Sequence, residues 1–289
     1  MNGFVNVIKP KDMSSALAVM LIKKKIYKAF GKVSIGHMGT LDPMASGVLP
    51  MGINQANRLF DYLLDKQKTY IADFTFGKET DTLDITGNLL SDGYRVPSLT
   101  EIESVLPNFI GEIDQIPPKY SAKNVNGKRG YELARKGVDF SLPPKRVTIL
   151  SITLISQVSD DTFRFKIDCK GGTYIRSICR DIALALNTKA TMSMLSRTAS
   201  GVFNEENGIP LDDFMAMEDI SSVIISSDSV VSFPSIVLDE VSAKRILDGV
   251  FDPIYTQEEG LYKVYNGSVF WGVGEVKDST LKIRTYVRD

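Results

Sequence analysis

Between Gly36 and Pro50 the chain reads GHMGTLDPMASGVLP, and no regular helix can run through that segment. Gly36, Gly39 and Gly47 supply backbone freedom for tight turns or a close ligand. Asp42 precedes Pro43, which biases it away from helical angles. The segment is therefore expected to be a shaped loop, with the flanking elements arranged to hold it. It carries His37, the only histidine of the chain, and, five residues on, the acid Asp42. Leu41 and Pro43 bracket that acid, a poor setting for a solvated surface charge. Spacing alone favours an Asp that organises a turn before Pro; the rest of the chain shifts the balance toward a reactive carboxylate.

On the N-terminal side, GFVNVIK reads as a strand that ends at Lys9-Pro10, and Ser14 or Ser15 can cap a basic helix over LAVMLIKKKIYKAF. On the C-terminal side, Gln55 to Leu64 has the apolar spacing of an amphipathic helix. KTYIADFTFG follows as a half-buried strand with Tyr70 near its start. DTLDITGNLL reads as a loop and LTEIESVLPNFIG as a short helix. The stretch QIPPKYSAKNVNGKRGYELARKG mixes prolines, bases and aromatics and excludes one long uniform element. It is expected to be a flexible arm, 116–146, suited to looped RNA, where rings stack on bases and cations meet phosphates. RVTILSITLISQV and DTFRFKIDCKG read as strands, followed by a helix over TYIRSICRDIALAL that Thr173 can cap. Arg176 falls near the start of this helix, where the macrodipole is positive, so a carboxylate nearby is called for. ATMSMLSRTASGVF, with Leu195, is expected to form a strand and turn. The composition changes near residue 232, and Asn266-Gly267 between two apolar runs predicts a hairpin.

With 289 residues, 43% of them apolar and 24% charged, the chain can bury one large or two moderate cores. It has no apolar run long enough to cross a membrane and no secretory start, so it is expected in the cytoplasm. Cys169 and Cys179 form no CxxC pair, which argues against a disulfide scaffold or a zinc site. The net charge of -1 conceals a division. Between Asp12 and Asp42 every charged side chain is a lysine, and 116–146 carries eight bases against Glu132 and Asp139. From Glu205 to Glu259 only Lys244 and Arg245 are basic. One face is thus expected against a polyanion and another in water.

The segments GFVNVIKPKDMSS, GHMGTLDPMASGVLP, DKQKTYIADFTFGKETDTLDITG, QIPPKYSAKNVNGKRGYELARKG, CKGGTYIRSICRDIA and LSRTASGVF together resemble, in order, the tRNA pseudouridine synthase B family, which isomerises uridine 55 of the tRNA T-loop. The resemblance covers nearly the whole chain. It implies an α+β fold, with a mixed, mainly antiparallel sheet in a catalytic domain over 1–231 and a small, β-rich, PUA-like RNA-binding domain over 232–289. Carried over residue by residue, it puts the nucleophile at Asp42, the base-flipping histidine at His37, the active-site tyrosine at Tyr70, the arginine at Arg176 and the apolar wall at Leu195. Lys9, Lys119, Lys123, Lys128 and Arg129 are the bases expected against RNA. The implied partner is the tRNA T-arm stem-loop, with no cofactor, no metal, no membrane, no obligatory protein partner and a monomeric chain. Two departures stand out: Asp12 where the family has Gly, and Lys123-Asn124 where it has an apolar-Lys pair.

The chemistry explains these residue types. The bond from ribose to N1 of uracil breaks, the base turns, and a carbon–carbon bond to C5 replaces it. A carboxylate can serve as covalent nucleophile, and Arg176 would hold it ionised through a bidentate contact. Tyr70 would stack on the uracil, Leu195 would exclude water, and His37 would fill the space left by the flipped base. The sequence leaves open whether Asp42 attacks the ribose, attacks C6 or serves an elimination route. The competing reading is a noncatalytic tRNA-binding or folding chaperone, which has no use for Asp42 with Arg176. A glycosidase would need a second catalytic acid near the first, and none stands out.

Overall fold

Ser14 begins the first helix, Ser15–Phe30, by accepting a hydrogen bond from the Leu17 amide. The helix turns Ala18, Ile22 and Ile26 inward onto Val5, Val7, Leu49, Met51 and Phe214. In this computed structural model the described residues are 1–63, 67–121, 124–125, 127–138, 140–250 and 257–287, with the backbone alone at 124, 125, 128, 129, 131 and 135. The chain divides into two units: Met1–Pro43, Val48–Asp65 and Gly201–Asp289 form the first, Met44–Gly47 and Lys66–Ser200 the second.

In the first unit the strand Gly3–Lys9 lies between Ile209–Pro210, to which it is parallel, and Ser46–Ile53. Ile35–His37 adds to Ser46–Ile53 in antiparallel register, with Gly36 opposite Gly52 and His37 opposite Met51. A Cβ on either glycine would strike the Asn57 side chain. That side chain belongs to Asn54–Tyr62, which is a 3-10 helix rather than the α-helix expected over Gln55 to Leu64. Its buried residues Ala56 and Leu59 are three apart, the 3-10 period, and Asn57 donates back to the Asn54 carbonyl. Asp12, at the family's glycine position, has φ 63, a left-handed conformation that Asp tolerates better than most residues.

Four strands, Ser235–Leu238, Gly260–Asn266, Val269–Lys277 and Thr280–Tyr286, form a separate sheet in that order. The expected Asn266-Gly267 hairpin joins the second to the third. The helix Glu240–Leu247, capped by Asp239, covers a core containing Val264, Trp271 and Leu281. Phe270, Val273 and Val287 belong instead to a cluster with Phe4, Met38 and Leu59.

The second unit is an antiparallel sheet ordered Ala190–Ser200, Lys68–Phe76, Thr162–Cys169, Lys145–Gln157, Gly111–Gln115. The helix Ile175–Ala185 packs on the first two of these strands. Its N-cap is Tyr174, without a side-chain cap; the Thr173 hydroxyl, expected to cap, donates to the Lys170 carbonyl instead. The arm is non-uniform: Asn124–Val125 pairs with Lys128–Arg129, and a helix runs over Gly130–Arg135. The expected fold class, α+β with a mixed, mainly antiparallel sheet, is the one present. No helix among the described residues is long and apolar enough to cross a membrane.

Candidate functional site

In the first unit, the loop after His37 is held from two sides at the residues flanking Asp42. Ser15 is buried, and its hydroxyl both donates to the Leu41 carbonyl and accepts from the Leu41 amide, each at 2.8 Å. Lys9 is 0% exposed, and its ammonium donates to the carbonyls of Pro10, Met13 and Pro43. Leu41 and Pro43 are thus both anchored, and half-buried Asp42 sits between them. This corrects the reading of Lys9 as an RNA-facing base. A strand-end lysine reads as a surface cation, but here the ammonium is consumed by carbonyls and braces the loop. His37 is exposed, and its Nδ1 accepts from the Gly39 amide at 3.3 Å. That short local bond orients the ring without burying it.

In the second unit, Tyr70, Leu195 and Arg176 are all nearly buried, at 7%, 6% and 5% exposure. Tyr70 lies opposite Arg197, and Leu195 opposite Ala72, on adjacent antiparallel strands. Alternation puts Tyr70 and Ala72 on one face, so Tyr70 and Leu195 are diagonal neighbours on that face. Arg176 projects from the buried side of Ile175–Ala185. Its Nη1 donates to the Thr82 carbonyl at 2.9 Å and lies 3.4 Å from Asp84 Oδ2, and its Nη2 donates to the Tyr120 carbonyl at 3.1 Å.

Asp84 is thus a carboxylate of the kind that Arg176 calls for at a helix N-terminus. Its other oxygen accepts from the Thr82 hydroxyl and from the Thr86 amide and hydroxyl. The acid is buried and heavily bonded, so it fixes the guanidinium as a rigid part of the unit. In the sequence DTLDITG reads as a loop without a marked acid; the signal that singles out Asp84 is two Thr spaced two residues either side of it, each able to bond it. Ser15 likewise reads there only as a possible cap.

Among the other bases, Lys119 is exposed. Lys123 lies outside the described residues, as do the side chains of Lys128 and Arg129.

The model for the TruB family pseudouridylate synthase N-terminal domain matches residues 24–175, and that for the tRNA pseudouridylate synthase B C-terminal domain matches 176–232. A tRNA pseudouridine synthase B from Caldanaerobacter subterraneus subsp. tengcongensis is 39% identical, with 97% of each chain covered. The chain belongs to the tRNA pseudouridine synthase B family. A second member, from Clostridium kluyveri, is 38% identical over 98% of both chains. A solved H/ACA ribonucleoprotein bound to a substrate RNA containing 2'-deoxyuridine shares the fold, with a TM-score of 0.72 at 22% identity, covering 99% of this chain and 85% of that one. Membership of the synthase B family gives the chain its chemistry, isomerisation of uridine in tRNA.

Proposed function

We propose that this enzyme isomerises uridine 55 in the T-loop of tRNA to pseudouridine, with Asp42 as the nucleophile. The observation that carries the residue assignment is the double anchoring of the loop, with Ser15 on Leu41 and Lys9 on Pro43. Anchoring both neighbours of a half-buried carboxylate limits its motion before substrate arrives, which is how a positioned nucleophile lowers its barrier. A carboxylate can act as covalent nucleophile, splitting one difficult step into two easier ones. The glycosidic N1 bond breaks, the uracil turns, the ribose C1′ bonds to C5, the C5 proton leaves and N1 gains a proton, so atoms balance without oxidant. Attack on the ribose, attack on C6 and the elimination route all pass through the same carboxylate.

Arg176 supplies the buried cation that steadies negative charge on the reacting groups, and Tyr70 and Leu195 form the surface against the flipped uracil. Exposed His37 takes the place the base vacates. The reading puts the enzyme in the cytoplasm as a monomer acting on the tRNA T-arm, with the arm 116–146 and the C-terminal residues 232–289 contributing RNA contacts. Nucleoside analysis of an unmodified tRNA transcript tests it. The wild type should yield one pseudouridine at position 55, and Asp42→Asn should bind the transcript equally while losing turnover on the order of a thousandfold or more. Pseudouridine elsewhere, or wild-type rates from Asp42→Asn, would refute the assignment.

A further inference from the structure

Lys68 opens the strand that carries Tyr70, and it is only 9% exposed. Among the described residues no hydrogen bond or ion pair is made by its ammonium. Its surroundings are positive. Arg197, 1% exposed, lies opposite Tyr70 on the next strand, and both Arg197 and Lys145 act on the Lys68 charge. Burial first, and Arg197 second, push the Lys68 ammonium down to about 8. Cys169, directly across the ladder from Lys68, offers no counter-charge, because burial pushes its thiol up to about 11.

The same corner holds a glycine turn. The chain from Cys169 to Thr173 passes through Gly171 and Gly172, the latter with φ +89, and the Thr173 hydroxyl donates to the Lys170 carbonyl. Among the described residues the amides of Gly171 and Gly172 reach no acceptor, and the turn runs straight into the helix Ile175–Ala185, whose N-cap Tyr174 has no side-chain cap. Gly172 is exposed, and the ammonium of exposed Lys145 occupies the space that a Cβ there would take. Open amides in a glycine turn, a helix start, one accessible lysine and one buried, unpaired lysine form an arrangement that lacks only an anion.

We infer that Lys68, Lys145 and the Gly171–Thr173 turn form a subsite for one RNA phosphodiester beside the target nucleotide. The inference rests on the proposed function. Lys68 and Tyr70 share a strand face, and two residues along a strand cover about 6.6 Å, within the reach of a single nucleotide from base to phosphate. A phosphodiester fits the fixed donors through its two non-bridging oxygens, and its charge answers the cluster of cations. In the free enzyme the buried ammonium is uncompensated; the substrate brings its counter-charge.

The test uses T-arm RNA in which the linkage on either side of the target uridine is replaced, one at a time, by a neutral methylphosphonate. With the wild type, one of the two substitutions should weaken binding about ten- to hundredfold, the size of a lost charge-assisted contact. Lys68→Met should show a similar loss on native RNA and little further loss on that modified RNA. Lys145→Gln, an exposed change, should show the same masking with a smaller effect and a salt slope flattened by roughly one. Lys68→Met should melt no lower than the wild type, because it replaces a desolvated charge with an apolar chain of similar shape. Losses from the RNA and protein changes that multiply, indifference to both linkages, or a Lys68→Met protein that melts well below wild type would overturn the subsite. A wild type that binds native RNA normally while giving any of these results refutes the subsite alone; one that ignores native RNA refutes the proposed function as well.

Discussion

The loops 38–45 and 82–88 each present one acid to a family motif, yet the fold treats the two acids in opposite ways. Around Asp42 the buried donors grip the neighbours: Ser15 takes both backbone groups of Leu41 and Lys9 takes the Pro43 carbonyl. Around Asp84 they grip the carboxylate itself, through Thr82, Thr86 and Arg176. Asp84 is 4% exposed, whereas Asp42 is only half-buried. An acid whose own oxygens are committed to protein groups is a structural fixture. An acid that is half-buried between two anchored neighbours suits the nucleophile's role proposed for Asp42. Burial and charge type alone would not have separated these two roles; the placement of the braces does.

The largest effect that separates the two loops should come from Asp84→Ala. Removing Asp84 takes one charged partner from a buried guanidinium and leaves the Thr82 and Thr86 donors without their acceptor, and is expected to cost about 3–5 kcal/mol of stability, read as a lower midpoint in denaturant, together with turnover. Asp42→Asn should leave that midpoint where it is. Equal midpoints for Asp84→Ala and wild type would break the distinction between a spent acid and a held one. A middle-sized effect is expected from Ser15→Ala, which strips hydrogen bonds from a buried backbone amide and carbonyl and should cost roughly 1–3 kcal/mol. Its turnover should fall while tRNA affinity holds, because the brace acts on the position of Asp42 and not on RNA; a loss of affinity with kcat intact would assign Ser15 to the interface instead. The smallest is His37→Ala. The ring is exposed, so stability should not change, and single-turnover rates should fall severalfold on structured tRNA through slower capture of the flipped base. An unchanged rate would remove His37 from that step.

Much of this arrangement was legible in the residues. The glycines and Asp42-Pro43 announced a shaped loop because they exclude helix by steric means that no tertiary contact reverses. The alternation in KTYIADFTFG placed Tyr70 correctly on a strand. The need of Arg176 for a carboxylate followed from its place at a helix start, but the identity of Asp84, 92 positions earlier by their numbers, depends on a long-range pairing that no local pattern encodes. Lys9 and Lys68 escaped for a related reason. Sequence reveals a lysine's charge, whereas the direction of its side chain at a strand end decides whether that charge meets water, carbonyls or nothing. Gln55 to Leu64 misled differently, since the apolar spacing that suggests an α-helix also fits a three-residue repeat.

The pairing of the first strand has a consequence for how the molecule comes into being. Phe4 exchanges backbone hydrogen bonds with Ile225, Asn6 reaches the Asn204 carbonyl 198 positions away, and Asn2 reaches that of Val287, 285 positions away. During synthesis at about 5–20 residues per second, the opening strand therefore waits on the order of ten seconds or more for these partners to be made. Through that interval Phe4, Val5 and Val7, which end fully buried, have no completed core to enter. Local elements such as the helix Ser15–Phe30 can form early, but the first unit becomes native only once these distant partners have been made. Its vulnerable period is set by translation rather than by the speed of strand pairing.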